Sequence, residues 1–90
     1  MTLEEFQATK EWSDDLHERF PDDVPPGSKG WLYSGGRLWI EDTSTWSDDA
    51  PGYGEGHWYL RIGNIERQSN ALEELEQPLY DFAKSEELIA

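Results

Sequence analysis

The sequence predicts a small α+β domain in which two acidic helices pack on one face of a small antiparallel sheet. Both ends of the chain show the apolar spacing of amphipathic helices, whereas the middle shows the apolar–polar alternation of strands. The predicted order is α-β-β-β-α, with three strands, or four if a short strand follows the third. Because the chain has 90 residues, we expect one domain spanning 1–90.

The first predicted element is a helix over about residues 2–20. Thr2 and Glu5 have the spacing of a capping box, in which each side chain bonds the backbone N–H of the other residue. At 100° per residue, one face of this helix holds Phe6, Thr9, Trp12, Leu16 and Phe20. Because a residue before proline disfavours the helical conformation, Pro21 ends the helix. Residues 21–30 contain three prolines and two glycines, which predicts a loop.

Strand signals follow in the middle of the chain. Residues 31–41 read as a hairpin, because Gly35 and Gly36 separate two runs of alternating character. With a two-residue turn, the facing pairs are Tyr33 with Leu38 and Trp31 with Ile40, all on one face. A three-residue loop would instead exchange the faces of one strand. The pattern predicts a long polar loop over residues 42–56 and a third strand over residues 57–62. A short fourth strand over residues 65–67 is left open.

The last predicted element is a helix over about residues 70–88. Asn70 is its predicted N-cap, with Glu73 at the capping-box position. Its apolar stripe consists of Leu72, Leu75, Leu79, Phe82 and Ala83. Pro78 lies inside this pattern and is expected to kink or split the helix, since proline lacks the backbone N–H.

Charge and composition exclude several classes of function. Twenty acidic and seven basic residues give a net charge of −13, which argues against direct binding of nucleic acid or of anionic membranes. The absence of cysteine excludes disulfides and zinc–thiolate sites. The N-terminus lacks the basic start and apolar stretch of a signal peptide, so we expect a cytoplasmic protein. We expect no cofactor and no bound metal.

The acidic residues concentrate in the two predicted helices. Residues 1–23 carry a net charge of −6 and residues 70–90 a net charge of −5, against −2 for residues 24–69. On the first helix, four carboxylates would share a face about 21 Å long, and two more would extend it into the loop. The predicted acidic stripe consists of Glu4, Glu11, Asp15, Glu18, Asp22 and Asp23. Such a line could replace a strand of phosphates in the groove of a basic partner, or it could serve only solubility or salt tolerance.

Aromatic and arginine side chains form the second candidate site. In the two-residue-turn register, alternate strand residues line the sheet face away from the helices, and two aromatics lie in the long loop. The predicted aromatic/arginine face consists of Arg37, Trp39, Tyr59, Arg61, Trp46 and Tyr53. Trp, Tyr and Arg are enriched in protein–protein hot spots. The alternative is structural: both faces of the sheet are covered, or long side chains lie over the aromatic rings. Trp46 and Tyr53 would then hold the loop against the domain.

No catalytic signature is present, so we predict a protein that is not an enzyme. His17 and His57 lack metal-binding or nucleophile spacing, and a Glu41–His57 pair would need one pocket containing both residues. The favoured function is a binding protein that occupies the basic, nucleic-acid-binding surface of a protein partner. The alternative is an acidic housekeeping or salt-adapted interaction domain that binds through the aromatic face. Either would be a monomer, or a homodimer joined at an unpaired strand edge.

In size, charge and lack of catalytic motifs, the chain is similar to the small acidic proteins that phages use against restriction or CRISPR nucleases. This resemblance is one of general character and covers no defined stretch of the sequence. It implies an inhibitor that mimics DNA and acts without catalysis.

Overall fold

A computed structural model describes residues 1–90 and shows an α+β fold with a five-stranded antiparallel sheet. The strands follow one another in the order β1-β2-β3-β4-β5, so each pairs with its neighbours in the chain. The elements are α1 (Leu3–Ala8), β1 (Glu11–Ser13), α2 (Leu16–Arg19), β2 (Gly30–Tyr33), β3 (Leu38–Asp42), β4 (Trp58–Ile62), β5 (Ile65–Ser69) and α3 (Glu73–Ser85). Short 3-10 turns occupy Ser34–Gly36 and Thr43–Thr45.

The predicted helix over residues 2–20 is wrong beyond its first turns. The capping box is present, with Thr2 and Glu5 bonded to each other's backbone N–H at 3.1 and 2.8 Å. The helix then ends at Ala8, and Trp12 lies in a short strand opposite Trp31, with ring centroids 5.0 Å apart. Pairing with the sheet therefore outweighs the helical spacing, and the Ser-Asp-Asp run after Trp12 itself favours a turn.

The hairpin register is the one expected for a two-residue turn, although the connection contains the 3-10 turn Ser34–Gly36. Trp31 faces Ile40 and Tyr33 faces Leu38. The connection needs Gly35 because its φ of 73° is left-handed, a region that glycine enters without steric cost. A tight turn follows β4, and β5 extends to Ser69, two residues beyond the predicted strand.

The C-terminal helix is shorter than predicted and is not capped by Asn70. The Asn70 side chain instead accepts a hydrogen bond of 3.0 Å from the backbone N–H of His57, and Leu72 stands at the N-cap. The helix continues through Pro78 as one span from Glu73 to Ser85. Its packing stabilises it despite the missing hydrogen bond, since three of its apolar side chains are core residues: Leu75, Leu79 and Ala83.

Apolar clusters lie on both faces of the sheet. The larger one joins the sheet to α1 and α3 and contains Phe6, Tyr33, Leu38, Ile40, Leu60, Leu75, Leu79 and Ala83. On the opposite face, Leu16 of α2 and Val24 pack with Leu32, flanked by Phe20 and Trp39. The prediction of two helices packed on one face agrees with α1 and α3, but α2, which was predicted as part of the first helix, packs on the opposite face. No helix is both long and apolar enough to cross a membrane.

A buried carboxylate connects several elements at the main core. Glu76 of α3 is 1% exposed and accepts hydrogen bonds from the Tyr33 hydroxyl at 2.6 Å and from Gln7 Nε2 at 3.0 Å. Lys10 Nζ lies 3.1 Å from the same carboxylate and neutralises its charge. These bonds connect α3 to β2, to α1 and to Lys10 in the segment that follows α1.

Because the Tyr33 phenol is buried, we expect the folded protein to lose stability in alkaline solution. Burial, followed by the bond to Glu76, raises the pKa of Tyr33 far above its ordinary 10. As pH rises, the unfolded chain therefore releases the Tyr33 proton before the folded chain does. The contribution of this hydroxyl to the free energy of unfolding is fully present below pH 10 and is lost as pH rises above 10. We expect this one group to contribute a slope of about 1.4 kcal/mol per pH unit.

The measurement is urea unfolding at several pH values above 10, made on the wild type and on Tyr33→Phe. In the variant, the free energy of unfolding should fall less steeply with pH, by about 1.4 kcal/mol per pH unit. This difference in slope is independent of the variant's stability at neutral pH. Equal slopes in the two proteins would contradict the burial of this hydroxyl.

Candidate functional site

A cleft of about 1100 Å³ lies on the sheet face opposite α1 and α3. Its floor is formed by β3, β4 and β5. The helix α2 packs on the same face of the sheet but does not cover these three strands. Two loops wall it, one over residues 23–28 and the other over residues 45–55. This volume exceeds the roughly 300–1,000 Å³ of small-molecule sites, so the cleft has room for a short segment of a partner.

Glu41 lies at the floor of this cleft and is 5% exposed. Its Oε2 accepts hydrogen bonds from Ser28 Oγ at 3.3 Å and from the indole N–H of Trp46. Burial raises the pKa of the Glu41 carboxyl, while these two bonds act to lower it. The sequence places Glu41 here because β3 alternates, so that Leu38 and Ile40 enter the main core while Trp39 and Glu41 face the cleft.

Aromatic rings border the carboxylate. Trp46 meets Tyr59 edge to face, with centroids 5.2 Å apart, and Tyr59 lies directly opposite Glu41 on the neighbouring strand. The Tyr59 hydroxyl donates to Glu66, and burial together with this bond raises the pKa of Tyr59 to about 12. Trp39 stacks on Phe20 at 4.1 Å, which fixes its ring at the α2 side of the cleft.

The long loop is held against the sheet by polar contacts. Gln68 Nε2 donates to the carbonyl oxygens of Gly52 at 2.8 Å and Gly56 at 3.2 Å. The Thr43 hydroxyl donates to Gly56 at 2.6 Å. A Cβ on Gly52 would lie 2.8 Å from the Gln68 side chain, so glycine permits this close approach. The loop is therefore a fixed wall that keeps Trp46 over the floor.

The charges that line the cleft are mixed. Four carboxylates and two guanidinium groups contribute: Asp23, Glu41, Glu55, Glu66, Arg61 and Arg67. Arg61 pairs in register with Glu66 of β5, two positions along the strand from Tyr59. The end that holds Glu41 is thus acidic and aromatic, and the end that holds Arg61 is closer to neutral.

The structure brings together four of the six residues of the predicted aromatic/arginine face. Trp39, Trp46, Tyr59 and Arg61 all line the cleft. Arg37 does not, because its guanidinium donates to the backbone oxygen of Leu88 at 3.3 Å. Tyr53 is 43% exposed at the outside of the long loop.

The predicted acidic stripe is divided among several elements because the helix that would align it ends at Ala8. Glu4 lies on α1, Glu11 on β1, Asp15 at the N-cap of α2, and Glu18 within α2. Asp22 and Asp23 lie in the turn after α2. All six are exposed, and the segment from Glu18 to Asp23 borders the cleft, which Asp23 itself lines.

Sequence reasoning missed some residues of the site and one further aromatic group. Ser28 and Gln68 position the floor and the wall, but a lone Ser or Gln in a polar stretch carries no signal of this. At the main-core side of the sheet, Trp12 is 43% exposed and contacts the rings of Trp31 and Trp58. The spacing that placed Trp12 on a helix hid this group.

The pair of residues considered for catalysis is separated. Glu41 lines the cleft, whereas His57 does not. The Nε2 atom of His57 lies 3.2 Å from Asp42, and the His57 ring stacks on Trp58.

No protein-family model, no curated protein and no solved structure matches the chain.

Proposed function

We propose that this is an acidic binding protein without catalytic activity, which occupies the basic surface of a nucleic-acid-binding partner in place of phosphates. One observation carries the proposal. Only four of the twenty carboxylates lie within 4.0 Å of a basic side chain, so most of the negative charge is left uncompensated. Such a surface attracts a basic groove through long-range electrostatics.

The cleft face is the part of the surface that we assign to the partner. The segment holding Glu18, Asp22 and Asp23 packs on this face through Leu16 and Val24, beside the aromatic cleft. Carboxylates would set the rate and salt dependence of the encounter, while the half-buried aromatics would slow dissociation. The helix α3 lies on the opposite face and supplies a matched set of carboxylates for comparison.

The test measures release of labelled duplex DNA from a panel of restriction and CRISPR nucleases by fluorescence anisotropy. We expect the protein to release DNA from at least one nuclease at low salt, and to do so about tenfold less well at high salt. Release that ignores salt, or no release by any member of the panel, would count against phosphate mimicry.

Two variants that remove the same amount of charge locate the surface. The first carries Glu11→Gln, Glu18→Gln and Asp22→Asn on the cleft side, and the second carries Glu73→Gln, Glu86→Gln and Glu87→Gln at α3. We expect the first to weaken DNA release by about tenfold and the second by less than about threefold. Equal losses would indicate net charge alone rather than an oriented surface.

A second candidate function is an interaction domain that binds a neutral partner through the cleft. The three aromatic residues in the cleft favour it, because such residues are common anchors of interfaces. Binding of this kind would survive high salt and would be lost on Trp46→Ala, whereas the triple charge variants would leave it intact.

A further inference from the structure

We infer that Glu41 is the receptor for one cationic side chain of the partner, an arginine or a lysine that enters the cleft beside Trp46 and Tyr59. This inference rests on the proposed function, because it names the group of a basic partner that the cleft recognises.

The three buried acidic residues of the chain differ in one respect. Glu76 is paired with Lys10 at 3.1 Å, and Asp42 lies 3.2 Å from His57. Glu41 has no basic side chain within 4.0 Å, although it is as deeply buried as Asp42. A buried carboxylate is costly unless a cation or several hydrogen bonds compensate it. Glu41 is thus the one buried acid with no basic side chain within 4.0 Å.

One oxygen of this carboxylate is free and reaches the cleft. Both hydrogen bonds to Glu41 end on Oε2, and none ends on Oε1. Oε1 is not fully buried, because Trp31 Nε1 is the one fully buried side-chain N or O atom that lacks a hydrogen-bond partner. Since Glu41 lines the cleft, we place the exposed part of Oε1 there. The two donors, Ser28 and Trp46, fix the carboxyl plane. The free oxygen is therefore held in a set orientation before any ligand arrives.

The surroundings of this oxygen suit an organic cation. The rings of Trp46 and Tyr59 lie beside Glu41, and a guanidinium or ammonium group over an aromatic ring gains cation–π energy, most over tryptophan. Because Oε2 is already occupied, the incoming cation makes an end-on contact with Oε1 rather than a two-pronged one. The net charge of −13 favours a cation over an anion as the occupant.

The protein's own arginines do not fill this place. Arg61 and Arg67 line the same cleft, but neither has a carboxylate within 4.0 Å. Arg61 lies opposite Glu66, two positions along β4 from Tyr59. The remaining volume of the cleft, well beyond that of one side chain, leaves room for the residues that flank the cation in the partner's segment.

The test uses short glycine–serine peptides with one central residue: arginine, lysine, or citrulline, the neutral counterpart of arginine. Binding is followed by NMR through the indole N–H of Trp46, identified by its absence in Trp46→Phe. We expect the arginine and lysine peptides to shift this signal in a saturable manner, and citrulline to bind at least about tenfold more weakly. The ratio of the two cationic peptides shows which one the site prefers.

Two carboxylate variants complete the test. Glu41→Gln keeps an oxygen acceptor for Ser28 and Trp46 and should weaken the arginine peptide by about tenfold or more. Glu55→Gln removes an equal charge from the cleft rim and should weaken it by less than about twofold. Equal binding of citrulline and arginine, or equal effects of the two variants, would overturn the inference.

These titrations contain neither a partner nor DNA, so their failure is separate from a failure of the proposed function. If Arg61→Gln enabled binding that the wild type lacks, Arg61 would be the occupant of Glu41, and the inference would also be overturned.

Discussion

Glu76→Ala is expected to destabilise the protein by about 3–5 kcal/mol, the typical cost of breaking a buried charge pair. The truncation removes the acceptor of the fully buried Tyr33 hydroxyl and the partner of Lys10. Lys10 recovers part of its solvation because its side chain is 32% exposed, whereas the Tyr33 hydroxyl belongs to a fully buried residue and loses its acceptor. A domain of this size has a total stability of about 5–13 kcal/mol, so the loss is severe.

Urea unfolding of Glu76→Ala and of Glu73→Ala measures this effect at equal change in charge. Glu73 lies on the same helix but is exposed, and its truncation should change stability by about 0.5 kcal/mol or less. A cycle with Tyr33→Phe should give a coupling energy of at least about 1 kcal/mol. Similar stabilities for the two alanine variants would show that the Glu76 network contributes nothing specific.

Gly30→Ala is the second change expected to have a large effect, about 3 kcal/mol of lost stability. A Cβ at Gly30 would lie 2.2 Å from the carbonyl oxygen of Ile40 and 3.0 Å from the Cα of Glu41. Both neighbours are backbone atoms of β3, so no rotation of a side chain relieves the overlap. The strand would have to move, and Glu41 would move with it.

Gly54→Ala provides the control for this substitution. It adds the same methyl group where no atom lies within 4 Å, and it costs only the left-handed backbone conformation, about 1–2 kcal/mol. Unfolding midpoints in urea compare the two variants. If Gly30→Ala were no less stable than Gly54→Ala, β2 and β3 would not approach as closely as the structure shows.

The parts of the fold that were predicted correctly are those in which local and tertiary preferences agree. The register of β2 with β3 agrees with the alternation on either side of Gly35 and Gly36, because a shift by one residue would remove either Tyr33 or Ile40 from the main core. The capping box at Thr2 is likewise a purely local signal. Such features need no knowledge of distant contacts.

The first third of the chain could not be predicted because its preferences conflict. The spacing of Phe6, Trp12 and Leu16 fits a helix, yet Phe6 and Leu16 belong to cores on opposite faces of the sheet. A strand of three residues, such as β1, is too short to show an alternation. The predicted acidic stripe required one continuous helix over residues 2–20. Because α1 ends at Ala8, the six carboxylates lie on different elements.

The sequence predicted residues on the floor of the cleft but not the loops that form its walls. Strand alternation placed Trp39, Tyr59 and Arg61 on one face, since period-two patterns follow directly from strand geometry. The walls come from irregular segments, whose course depends on contacts such as those of Gln68 with Gly52 and Gly56. Nothing local in the sequence indicates those contacts.

The succession of neighbouring strands sets the entropic cost of assembling this fold. Facing residues such as Trp31 and Ile40 are close in the chain, so pairing β2 with β3 closes a short loop. The contact between Phe6 and Tyr80, by contrast, joins α1 to α3 across nearly the whole chain. Its closure costs about 2 kcal/mol more by the logarithmic dependence on loop length. The packing of Phe6 must offset that cost, which makes α1 the element whose place in the fold depends most on contacts distant in sequence.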